Sequence, residues 1–84
     1  MKPIRLSAHA MGYIARRGFT VAEVEGAILT CTWQPAEMGR MECRKDFRFG
    51  KTWNGKRFAT KQVRPVFADE AAEIVVVIVY AYFY

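Results

Sequence analysis

Eighty-four residues, 52% of them hydrophobic and 25% charged, describe one globular domain, residues 1–84, and exclude a disordered chain. A net charge of +5 favours anionic partners over basic ones. A domain this short buries only ~60% of its unfolded surface, so a partner or a second copy would add stability.

The opening Met-Lys-Pro-Ile-Arg lacks the apolar core of a secretory signal. At the other end the apolar run Ile74 to Tyr84 is eleven residues long, against ~20 for a membrane-spanning helix. A cytoplasmic protein without a membrane anchor is expected. Cys31 and Cys43 then read as reduced thiols. With His9 they fall short of the roughly four ligands of a structural zinc site, so neither metal nor cofactor is expected.

In chain order, Ser7 can cap a helix from Ala8 to Arg17, with Gly18 as its left-handed stop. Arg16 and Arg17 fall in the last turn, where the helix dipole favours cations. A second helix follows a capping box of Thr20 and Glu23, and Phe19 can staple onto Val24. Val21, Val24, Ala27, Ile28 and Leu29 make its apolar face, and Gly26 within it suggests close packing. A short extended piece near Cys31 to Trp33 ends at Gln34-Pro35.

From Gly39 the pattern is strand. Met41, Cys43, Lys45, Phe47 and Phe49 alternate with Arg40, Glu42, Arg44, Asp46 and Arg48, and Lys45 interrupts the apolar side. Asn54-Gly55 predicts a type I′ hairpin turn. The next strand runs from Arg57 to Phe67, with Pro65 marking an edge or a bulge. After a turn at Asp69 to Ala72, the last strand spans Ile74 to Phe83. Strict alternation puts Val75, Val77, Val79, Ala81 and Phe83 on a core face, and Ile74, Val76 and Ile78 with Tyr80, Tyr82 and Tyr84 on a wetter face or a dimer interface. The expected fold class is α+β, two N-terminal helices packed on a three- to four-stranded antiparallel sheet.

The charge is uneven. Residues 40 to 64 carry nine basic side chains against Glu42 and Asp46, whereas residues 65 to 84 carry only Asp69, Glu70 and Glu73. A basic hairpin bearing Phe47, Phe49, Trp53 and Phe58 suits a phosphate backbone with stackable bases. The same cations also blunt sheet edges, and an acidic protein would meet them equally well.

Ser7-Ala8-His9-Ala10, Arg16-Arg17-Gly18-Phe19-Thr20 and Glu23-Val24-Glu25 resemble the opening of the bacterial domain-of-unknown-function family 4258. Trp53-Asn54-Gly55-Lys56, Thr60-Lys61-Gln62-Val63 and the valine-rich closing strand extend that resemblance over nearly the whole chain. Its element order is similar to that of RelE-like toxin ribonucleases, which cleave RNA without a metal. The resemblance implies His9 as acid–base group and Tyr80 as a further polar group. It implies phosphate contacts at Arg17, Lys45, Lys56 and Lys61, to which the basic hairpin adds Arg44, Arg48 and Arg57. Where the family often reads Ile-Thr-Val-Tyr, this chain reads Val77-Ile78-Val79-Tyr80, so Ile78 replaces a hydroxyl and argues against catalysis.

Three functions follow from these residues. The foremost is a module that binds RNA or an acidic protein. The alternatives are a metal-independent ribonuclease using His9, and a homo-oligomeric structural protein such as a homodimer. No glycine-rich phosphate loop and no nucleophile–base pair supports another enzyme class.

Overall fold

A computed structural model describes residues 2–84. Among them are six strands in one sheet and three short helices. The strands are β1 (Ile4–Leu6), β2 (Gln34–Pro35), β3 (Met41–Glu42), β4 (Lys45–Trp53), β5 (Lys56–Asp69) and β6 (Ile74–Phe83). The helices are α1 (Ala8–Met11), α2 (Ile14–Arg17) and α3 (Val21–Thr30). The sheet runs β1-β6-β5-β3-β2, with β4 also paired to β5. All pairs are antiparallel except β1 with β6.

This corrects the expected two helices on three or four strands, and each difference has a local cause. Residues 8–17 do not form one helix. Tyr13 sits at φ −102°, ψ 0°, and its N–H turns to the Ala10 carbonyl in a tight 3₁₀ step before α2 begins. β1 is three residues long and parallel to β6, so it carries no hairpin signal. The strand expected from Gly39 divides at Cys43 and Arg44, opposite Pro65. There the Cys43 N–H reaches the Pro65 carbonyl at 3.4 Å, but proline has no N–H to return the bond. Pro65 therefore sits in a central strand, at the gap where β3 hands over to β4.

Other local signals hold. Thr20 and Glu23 form both halves of the capping box. Gly18 takes φ +73° after α2, and Asn54-Gly55 takes φ +51° and +78° at the β4–β5 turn. A side chain at Gly18 would strike the Trp53 indole at 2.7 Å, so the position needs glycine for space as well as for φ. Gly26, by contrast, faces open space, and Leu29 is half exposed, which narrows the α3 stripe to Val24, Ala27 and Ile28.

The core lies on one face of the sheet, under the helices. Val63, Pro65 and Phe67 from β5 meet Ile74, Val76 and Val79 from β6, beneath Phe19, Val24, Ala27 and Ile28. Strict alternation along β6 fails because Val66 pairs with Ile78 while Phe67 pairs with Val76. Val77 is an extra residue, a β-bulge that swaps the faces. Ile74 and Val76 thus join Val79 in the core, contrary to the sequence expectation, while Ile78, Tyr80 and Tyr82 share the opposite side. Among the described residues no helix is long and apolar enough to cross a membrane.

Candidate nucleic-acid interface

The sheet face opposite the helices is built by cross-strand register. Asp46, Gln62 and Tyr82 form one row across β4, β5 and β6. Arg64 and Tyr80 form the next, and Val66 and Ile78 the one beyond. On the other side of the first row, Arg48 pairs with Thr60, which exchanges both backbone hydrogen bonds with Tyr84. Tyr82 and Tyr84 are 40% and 56% exposed, the most exposed aromatic side chains on the sheet.

Polar side chains on this face are held by one another. Arg64 donates to the Glu42 carboxylate and, at 2.9 Å, to the Tyr82 hydroxyl, with its guanidinium 4.8 Å from the centre of the Tyr80 ring. Gln62 Nε2 donates to Asp46 Oδ1 at 2.9 Å. A hydrogen bond to Asp46 raises the pKa of the Tyr84 phenol above its ordinary value, because the carboxylate accepts from the neutral hydroxyl and repels the phenolate.

At the free edge of β6 a second group continues this surface. Arg17 Nη1 donates to the Val79 carbonyl at 2.8 Å, closing a β6 backbone acceptor that β1 does not reach. Its guanidinium lies 4.2 Å from the Tyr13 ring centre and 5.2 Å from that of Tyr80. The exposed His9 ring packs on Tyr13 at 4.9 Å. His9, Tyr13, Arg17, Tyr80 and Arg64 therefore form one connected strip.

The remaining predicted residues separate from that strip. Lys61 is buried, 6% exposed, with its ammonium 2.7 Å from Glu23 Oε2 and 3.0 Å from the Gly18 carbonyl. It is a strut between sheet and helices, so its assignment as a phosphate contact is corrected. Lys45 also points to the helix side, donating to Thr30 Oγ1 at 3.0 Å and thereby binding the end of α3. Arg44 is exposed beside a small cavity lined by Cys31, Thr32, Gln34, Glu42 and Cys43. Arg48, Lys56 and Arg57 are exposed on the β4–β5 hairpin.

The hairpin aromatics do not stand free for bases. Phe49, Trp53 and Phe58 converge on Phe83 at 5.1, 5.1 and 5.8 Å, with the Trp53 ring stacked at 14°. They extend the core along the arm and leave its cations outward. The exposed rings are instead tyrosines of the last strand. Arg64, Tyr13 and Asp46 were not expected as site residues, and Tyr82 and Tyr84 were expected only on a wetter face or a dimer interface. Period-two alternation from the buried Lys61 would have put Arg64 on the other face.

Cys31 and Cys43 are free thiols, and no group of three His, Cys, Asp or Glu side chains able to hold a metal occurs among the described residues. No family model, curated protein or solved structure matches this chain.

Proposed function

We propose that the protein is a single-stranded RNA-binding module that uses the helix-free face of its sheet. The observation that carries this reading is the pairing of two exposed rings, Tyr82 and Tyr84, with Arg64 and Arg48 on the same face. Stacking of a base on an aromatic ring contributes ~1–3 kcal/mol, and neighbouring cations release counterions from the phosphates. The exposed Arg48 and Arg57 continue the cationic track along the hairpin, whereas Lys51 and Lys56 share the side of Phe58 and Trp53.

Anisotropy of a labelled single-stranded RNA tests the reading. Binding should weaken steeply with added salt, and Tyr82→Ala with Tyr84→Ala should lower affinity roughly tenfold without changing thermal stability. Binding to an acidic peptide but not to RNA would replace the RNA reading with a protein partner. Absent or salt-insensitive binding contradicts both.

A second reading is favoured by the strip itself, which joins His9, Arg17 and Tyr80 through Tyr13. In a metal-independent ribonuclease, His9 would move a proton at the 2′-hydroxyl and Arg17 would stabilise charge developing on the phosphate. Ile78, on the same face as Tyr80, supplies no hydroxyl, which favours binding over turnover. Cleavage that persists in chelator and disappears in His9→Ala would establish catalysis.

A further inference from the structure

Beside Tyr84 the open face dips into a groove of about 600 Å³, a volume that accommodates a nucleotide. Its lining includes Asp46, Arg48, Gly50, Ala59, Thr60 and Tyr84. Gly50 sits at φ +59°, where β4 slips register against β5, so this stretch of the groove has no side chain. With Ala59 it leaves a small-residue lining beside the tyrosine ring.

Asp46 is the carboxylate of this groove, and its orientation is fixed. Gln62 Nε2 donates to Oδ1 at 2.9 Å, and Tyr84 lines the groove beside the carboxylate. An ionised carboxylate has about four acceptor positions, so with one taken by Gln62 about three remain for a ligand. Arg48, exposed and lining the same groove, supplies a cation for the phosphate.

A fixed carboxylate selects among the bases by their edges. Guanine offers two adjacent donors, the ring N1–H and the 2-amino group, which match two carboxylate oxygens. Adenine and cytosine place an acceptor next to a single amino group, and uracil flanks its one N–H with carbonyls. Each of those sets lone pairs against the carboxylate.

We propose that this groove binds guanine, with the base edge on Asp46, its ring against Tyr84 and its phosphate near Arg48. This inference rests on the RNA-binding reading and names the base that the same face recognises. The closing experiment compares short single-stranded RNAs that differ at one position, guanosine, inosine or adenosine, with free guanosine monophosphate as competitor.

The guanosine strand should bind about tenfold more tightly than the adenosine strand, as expected for one two-point base contact. Inosine keeps the N1–H but lacks the 2-amino group and should bind with an affinity between the two, a comparison that needs no change to the protein. Asp46→Asn should erase the preference while leaving melting temperature and salt dependence unchanged. Competition by the mononucleotide at equal affinity would assign the groove to free nucleotide, and competition only by strands would assign it to RNA. Equal binding of all three strands, or a preference that survives Asp46→Asn, overturns the guanine site while RNA binding stands. If neither strands nor mononucleotide bind, the RNA-binding reading fails as well.

Discussion

Lys61 and Arg64 stand three residues apart on β5, yet they serve opposite sides of the sheet. Lys61 points under the helices, where Glu23 and the Gly18 carbonyl take up its ammonium and Phe49 lies 5.3 Å away. Arg64 points to the bare face, where Glu42 and Tyr82 hold it in partial contact with water. The same charge thus braces the fold on one side and forms part of a surface on the other. Net charge alone does not distinguish these roles; burial and partners do.

The largest expected effect breaks this contrast by removing each cation in turn. Lys61→Ala leaves the Glu23 carboxylate partly buried without its partner, and loss of one member of a buried pair costs about 3–5 kcal/mol. Arg64→Ala removes a pair whose cation is 25% exposed against 8% for Lys61, so it should cost less stability, about 1–3 kcal/mol, while weakening RNA binding. Urea denaturation checks both. Lys61→Met combined with Glu23→Gln should recover much of the loss, because glutamine keeps the capping bond and methionine fills the space. Equal costs at the two positions would erase the distinction between the faces.

A smaller effect concerns a thiol on the covered side. Burial, with lesser contributions from Cys31 and Glu42, pushes Cys43 up to about 11 from an ordinary 9.0. Below pH 9 the thiol is neutral in both folded and unfolded chains, so its contribution is intact. Between about pH 9 and 11 the unfolded chain ionises first, and stability should fall as pH rises. Cys43→Ala should flatten that part of the stability profile. Iodoacetamide near pH 8 should label Cys31 in the folded protein and reach Cys43 only after denaturation, as counted by mass spectrometry.

Much of the local structure is legible in the sequence because its causes are local. The Thr20–Glu23 capping box, the αL Gly18 and the Asn54-Gly55 turn each depend on a few adjacent residues. The covered face of β5 follows from alternation through Val63 and Phe67. What escaped depends on partners distant in sequence. β1 exists because it lies beside Ile74 to Val76, and the division of β3 from β4 is imposed by Pro65 across the ladder. A single inserted residue, Val77, exchanges the faces of β6 and cannot be told from regular alternation in a run of valines.

The candidate surface shows the same division. Tyr80, Tyr82 and Tyr84 carried a visible signal in their spacing. Arg17 and His9 entered through the family resemblance, and the structure joins them to Tyr80 by way of Tyr13. Lys61 and Lys45 look like free cations in the sequence because Glu23, Gly18 and Thr30, which occupy them, lie on the helices.

The difference between the two faces is tested most directly by mapping amide chemical shifts while a short single-stranded RNA is titrated into isotope-labelled protein. The largest shifts should fall at Asp46, Arg48, Gln62, Arg64, Tyr82 and Tyr84, with α3 from Val21 to Thr30 nearly unmoved. Shifts centred on α3, or none at saturating RNA, would contradict the assignment of the bare sheet face as the binding surface.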